Sequence, residues 1–151
     1  RINERQHEVL FRKLGRCFDG ELTGRRIAIW GAAYKPDSAI VKDSAVHPLL
    51  QALWAQGATT VVYDPLAGAS LREVYPEQVL LTLAGSALEA TTGAEALVLI
   101  TACDEFQSPD FHALRAALAR PLVLDGRNIY EPEAMAALGF QYVGIGRGEV
   151  V

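Results

Sequence analysis

The amino-acid sequence predicts an α/β fold: a three-layer, Rossmann-like parallel sheet of about five to six strands with helices on both faces, preceded by an N-terminal helix. Three observations carry this expectation. Apolar runs suited to strands alternate with stretches of helical periodicity along nearly the whole chain. Several of those runs, such as Leu122-Val123-Leu124, are apolar throughout, as parallel strands covered on both faces must be. Gly57 and Gly139 sit just past helical stretches, where a left-handed closing residue is wanted.

The elements follow in order. Ile2, Val9, Leu10, Leu14, Cys17 and Phe18 form one apolar stripe over residues 2–18, with Arg, Glu and Lys elsewhere. Asn3 offers a cap, and Asp19-Gly20 an end. A helix ahead of the first strand either packs on its own sheet or connects to another domain or subunit, and both readings stay open. Strands are expected at Arg26–Trp30, Thr59–Tyr63, Val79–Leu83, Ala96–Thr101, Leu122–Asp125 and Gln141–Ile145. Helices are expected at Ser44–Gln56, Gly68–Tyr75, Ser86–Thr92, Phe111–Leu118 and Pro132–Leu138. The first of these carries Leu49, Leu50, Leu53 and Trp54 on one face.

Composition narrows the function classes. With 151 residues the chain suits one domain with a sizeable core. At 50% hydrophobic and 21% charged it has ordinary globular composition, and a net charge of -4 gives no electrostatic reason to expect nucleic acid. The longest apolar run, around Ala94–Ala102, is interrupted by Glu95 and Thr101, so no membrane span is expected. The charged N-terminus lacks the apolar segment of a signal peptide. Cys17 and Cys103 lie far apart, which argues against a disulfide framework and for a reducing, cytoplasmic setting. The chain starts at Arg1 without a methionine and enters a helical pattern at once, as a piece of something longer would.

Chemistry is concentrated in two loops. The first follows the strand Arg26–Trp30, turns at Gly31, presents Lys35 beside Pro36 and reaches a helix start near Ser44. Ligands of open α/β sheets bind outside the carboxyl ends of strands, and a lysine backed by a helix N-terminus suits a phosphate or pyrophosphate. The second loop, Asp125-Gly126-Arg127-Asn128, places an arginine fork at the same edge of the sheet. Alternatively, Arg127 pairs with Asp125 or Glu131 and only pins its own loop.

Other constellations are weaker. Gly31-Ala32-Ala33-Tyr34 keeps one glycine of the dinucleotide fingerprint, and its loop is too long for that motif. Asp64 imitates the fingerprint's ribose-binding acid, but Asp-Pro after a strand more often makes a turn. Cys103 with His112 as base has nothing around it to lower a thiol pKa and reads as a small packed hydrophobe. His7, His47 and His112 show no metal-ligand spacing.

With these residues in view, Gly31-Ala32-Ala33-Tyr34-Lys35-Pro36-Asp37-Ser38 and Lys42-Asp43-Ser44 resemble the Gly-x-x-Phe-Lys-Pro-x-Thr-Asp-Asp-x-Arg-Glu-Ser signature of the UDP-glucose/GDP-mannose dehydrogenase family. Val62-Tyr63-Asp64-Pro65, Ala96–Thr101 and Asp104-Glu105-Phe106 match further along. Asp125-Gly126-Arg127-Asn128-Ile129-Tyr130, Gly139-Phe140 and Gly144-Ile145-Gly146-Arg147 resemble the branch acting on UDP-glucose, and Asn3-Glu4-Arg5-Gln6 is similar to the end of that family's central helix.

The resemblance implies the C-terminal, UDP-binding domain of an enzyme that oxidises a sugar C6 alcohol to a carboxylate with two NAD. Residues 1–20 would be the last turns of the central connecting helix, and residues 21–151 the nucleotide-sugar domain. The glycine-rich NAD site and the catalytic cysteine would lie in other domains of the same enzyme, a homo-oligomer, so no catalytic residue is expected here. Tyr34 and Lys35 would stand where the family's Phe-Lys pair contacts the UDP-sugar, and Arg127 where its Asp-Gly-Arg arginine does. Lys42 would replace an arginine that reaches NAD, with the loss of a bidentate fork. Ser38-Ala39-Ile40 departs from Thr-Asp-Asp. The rival expectation is a free-standing nucleotide- or sugar-phosphate-binding module without catalytic activity.

Overall fold

A computed structural model describes residues 2–145, with side chains described from 7 onward. The elements in chain order are α1 (Ile2–Cys17), β1 (Arg26–Trp30), α2 (Val46–Ala55), β2 (Thr59–Tyr63), α3 (Gly68–Val74), β3 (Leu81–Leu83) and α4 (Ala87–Thr91). They continue with β4 (Ala96–Leu99), α5 (Asp104–Gln107), α6 (Phe111–Ala117), β5 (Leu122–Asp125), α7 (Pro132–Ala137) and β6 (Gln141–Gly144). Among the described residues the strands form one sheet in the order β3-β2-β1-β4-β5-β6, and every pairing is parallel. The strand order reverses between β1 and β4, which is the switch point of a doubly wound sheet.

Two apolar cores flank the sheet because alternate side chains of each strand point to opposite faces. On one side Ile27, Ile29, Val98 and Leu124 meet Leu49, Leu50 and Leu53 of α2 and Leu71 of α3. On the other, Trp30, Leu97, Leu99 and Val123 meet Ala90, Phe106, Leu114 and Met135. Trp30 stacks on Phe106 with ring centroids 5.0 Å apart and donates its indole N–H to the Ala87 carbonyl at 2.9 Å.

The N-terminal helix belongs to the first core. Leu10, Leu14 and Phe18 are buried with Ile29, Val98 and Leu124, so its described part lies on its own sheet. Its end is a backbone device. Asp19 and Gly20 both take positive φ, and the Gly20 N–H reaches back to the Gly15 carbonyl at 2.8 Å. Asn3 lies inside the helix, not at its boundary, so it is not the cap.

The predicted ends shift where tertiary contacts decide. The helix expected from Ser44 starts at Val46, because Ser44 is buried under the loop and its hydroxyl accepts from the Val46 N–H at 3.1 Å. The strand expected over Val79–Leu83 is paired only from Leu81, and Val79 is left exposed. The strand expected to reach Thr101 ends at Leu99, which frees residues 100–102 to line a cavity. A short helix, α5, was not expected; Phe106 seats it in the second core.

The burial of α1 has a measurable consequence. Leu14 has no exposed surface, so Leu14→Ala is expected to cost about 2–5 kcal/mol in urea unfolding, as a core truncation does. A helix that only connected domains would lose almost nothing.

Candidate functional site

The loops after β1, β4 and β5, together with α1, enclose a cavity of about 140 Å³ at the switch point. Tyr34 and Lys35 come from the first loop, Thr101 from the second, and Gly126 and Arg127 from the third, while His7 and Leu10 of α1 form a wall. The sequence-predicted Tyr34, Lys35 and Arg127 therefore share one cavity, although they lie far apart along the chain.

Two carboxylates at strand ends hold these loops in shape. Asp64, after β2, accepts from the backbone N–H groups of Ala32 at 2.8 Å and Ala33 at 3.2 Å. Its other oxygen accepts from Leu66 and Ala67, both at 2.9 Å. Asp125, fully buried at the end of β5, accepts from Arg127 N–H at 2.9 Å, Ile129 N–H at 2.8 Å, Tyr130 N–H at 3.0 Å and the Tyr142 hydroxyl at 2.7 Å. A buried charge is tolerated because backbone dipoles and a hydroxyl answer it. Asn128, at φ 56°, then exchanges two hydrogen bonds with Ile145 through its side-chain amide.

The far end of the first loop is pinned by His47, whose ring nitrogens meet the Val41 carbonyl and the Tyr75 hydroxyl, each at 2.7 Å. Its Nε2 donates to the Val41 carbonyl, and its Nδ1 bonds the Tyr75 hydroxyl.

These partnerships leave the two cations unpaired. Glu131 caps α7, accepting from Glu133 and Ala134, and Asp125 is filled by its own loop. Arg127 therefore does not pair with either acid. Among the described residues neither its guanidinium nor the Lys35 ammonium has an ion-pair or hydrogen-bond partner. Among the described residues no carboxylate lines the cavity. An exposed lysine and an exposed arginine facing one concavity, with no acidic side chain on it among the described residues, suit a multiply charged anion.

Close backbone approach is required at two glycines. A Cβ on Gly31, whose φ is +103°, would lie 2.5 Å from Thr101 Oγ1. At Gly126 it would lie 2.6 Å from the Leu99 carbonyl oxygen and 3.0 Å from Leu10 Cδ1. The glycine of Asp-Gly-Arg thus lets the Arg127 loop sit directly on β4 and α1.

Other expected residues fall elsewhere. Lys42 is exposed in a turn and does not line the cavity. Asp64 has no role like that of a ribose-binding acid, since four backbone N–H groups occupy it. Burial pushes the Cys103 and Cys17 thiols above their ordinary pKa, the reverse of an activated nucleophile, and His112 is exposed. Among the described residues no three His, Cys, Asp or Glu side chains gather as a metal site, and no helix is long and apolar enough to cross a membrane. Sequence reasoning missed His7, Gly31's contact with Thr101, and Thr101 itself. The one available signal was a polar residue closing the apolar run Ala96–Ile100.

Fold and cavity together define an open α/β domain with an anion-suited site at its switch point. The chain belongs to the UDP-glucose/GDP-mannose dehydrogenase family, UDP binding domain, whose model matches residues 28–132. It is similar to the UDP-glucose 6-dehydrogenase of Pseudomonas aeruginosa, 45% identical over 148 residues that cover 96% of this chain and 33% of that protein. The Rhizobium meliloti UDP-glucose 6-dehydrogenase is 34% identical over 97% of the chain and 33% of its own length. The chain thus spans about a third of the length of these relatives. Among solved structures, a UDP-glucose dehydrogenase from Pyrobaculum islandicum superposes with a TM-score of 0.77 at 24% identity, over 95% of this chain and 30% of that one. At this identity the likeness shows the fold.

Removing the organising acid is expected to loosen the site. Asp125→Ala takes the carboxylate away from three backbone N–H groups and from the Tyr142 hydroxyl, which keeps only the Tyr130 carbonyl at 3.2 Å among its described acceptors, and a loss on the order of 3 kcal/mol is expected in denaturant unfolding.

Proposed function

We propose that this chain is the C-terminal UDP-sugar-binding domain of a UDP-glucose 6-dehydrogenase, holding UDP-glucose for oxidation to UDP-glucuronate elsewhere in the enzyme. The observation that carries this reading is the meeting of Lys35 and Arg127 on one cavity, lined by no carboxylate among the described residues, at the switch point of a family UDP-binding domain. Tyr34, on the same loop, is half exposed at 53% and offers a ring to the ligand. UDP-glucose is preferred over other nucleotide sugars because of the Asp125–Tyr130 segment, with support from two relatives named for that substrate.

The charge pattern gives the domain its share of the mechanism. Lys35 and Arg127 hold the diphosphate, and Arg127 does so with a planar fork that fixes orientation as well as charge. Binding energy gained at this remote group positions the sugar C6 at a reacting centre on other domains. We place that centre outside this chain: neither Cys17 nor Cys103 lines the cavity, and burial pushes both thiols above their ordinary pKa.

NAD, when bound by the enzyme, accepts the hydride. The residues present here do not fit it as a Rossmann dinucleotide site. The loop after β1 keeps one fingerprint glycine, and Asp64 is saturated by backbone N–H groups. We assign NAD binding to an N-terminal domain of the same enzyme. Lys42, outside the cavity, is left to reach the cofactor across the cleft. In this reading residues 1–20 end a central connecting helix, residues 21–151 form the nucleotide-sugar domain, and the enzyme works as a cytoplasmic homo-oligomer.

Two experiments test the proposal. Lys35→Ala and Arg127→Ala should each weaken UDP binding roughly ten- to a hundred-fold by calorimetry, with the unfolding midpoint unchanged. Wild-type affinity in both variants would refute the assignment, and equal affinity for unrelated nucleotides would favour a free-standing sensor module. The 151-residue chain mixed with UDP-glucose and NAD should produce no NADH, followed by absorbance; sustained production would overturn the division of labour.

A further inference from the structure

Two buried polar atoms of the cavity-lining residues, Thr101 Oγ1 and His7 Nδ1, have no hydrogen-bond partner among the described residues. Thr101 is the more informative. It is 4% exposed, follows the apolar run Ala96–Ile100 and sits at the floor of the switch point, between the loops of Lys35 and Arg127. Buried hydroxyls in folded proteins are almost always bonded, and one left alone is destabilising. This one is nevertheless accommodated with care. Gly31 at φ +103° packs directly against it: a Cβ there would lie 2.5 Å from the hydroxyl oxygen and 2.6 Å from Thr101 Cβ.

We propose that the Thr101 hydroxyl is a ligand-contacting group that donates its hydrogen to a phosphate oxygen of the diphosphate held by Lys35 and Arg127. This rests on the function proposed above and adds a third, uncharged donor to it. The chemistry favours phosphate over other parts of a nucleotide sugar. The polar side chains that share the cavity with Thr101 include two cations, which can only donate, and among the described residues no carboxylate. An anion with several acceptor oxygens satisfies the cations and the hydroxyl at once. The short O–H···O⁻ bond that results supplies the partner Thr101 lacks in the chain alone. A lysine and an arginine set charge, whereas a buried hydroxyl on a strand end sets position: its reach is fixed by the backbone.

The test is a titration of UDP, inorganic pyrophosphate and uridine into the wild-type chain, Thr101→Val, Thr101→Ser and Lys35→Ala, followed by NMR chemical shifts. Thr101→Val keeps the shape and removes the hydroxyl. It should weaken UDP and pyrophosphate roughly ten-fold or more while leaving uridine unchanged. The melting temperature of the unliganded variant should stay the same or rise, because an unpartnered buried hydroxyl has been removed. Thr101→Ser restores the donor and should recover affinity, which also guards against misfolding of the valine variant. Wild-type UDP affinity in Thr101→Val, alongside a loss in Lys35→Ala, would overturn this inference and leave the proposed function standing. An equal loss for uridine would overturn the assignment to phosphate. If Lys35→Ala also binds as wild type does, the proposed function itself fails.

Discussion

Everything at the carboxyl edge of this sheet depends on how two acids are neutralised. Asp64 and Asp125 close β2 and β5, and both are answered mainly by backbone N–H groups of neighbouring loops. Had either acid recruited a side-chain cation, the cavity would have lost charge and the loops would have lost their internal scaffold. Backbone donors avoid both outcomes, because they are fixed in place and carry no net charge. The loop after β1 is thereby fastened to the end of β2, the Arg127 loop to β5 and β6, and the two cations remain open toward the same space.

That arrangement makes sense only at a switch point. Between β1 and β4 the crossovers leave in opposite directions along the sheet, and the gap between them is roofed by loops, not by a helix. Glycine appears where the roof is thinnest. Gly31 brings the first loop onto Thr101, and Gly126 lets the third rest on Leu99 and Leu10. Close packing under the cavity gives its few polar groups definite positions, which loops free on the surface would not.

The sequence was most legible where a single physical rule dominates. Leu122-Val123-Leu124 and Ile27-Ala28-Ile29 could only be strands covered on both faces, and that is what they are. Lys35 and Arg127 were readable because strand ends and loop chemistry place them at one rim whatever the details of packing. Strand and helix ends were less legible, because Ser44 and Leu81 are set by what buries or pairs them, not by local propensity. Phe106 could not announce α5, since a four-residue helix leaves no periodicity to see. Thr101 stayed hidden for a different reason. A threonine at a strand end is unremarkable until its surroundings are known, and the loop packed against it is brought there by a glycine far away in the chain. Lys42 shows the converse: a motif position can be recognised while its side chain lies outside the cavity that the motif's other members line.

The packing of α1 carries a consequence for how this domain feels its surroundings. Leu10 abuts Gly126 and lines the cavity beside His7, so the helix is part of the wall and touches the arginine-bearing loop. Its own grip on the sheet is apolar, with Leu14 and Phe18 buried in the first core. Because the same helix packs on the sheet and on Gly126, a substitution that displaces it displaces the footing of the arginine-bearing loop as well.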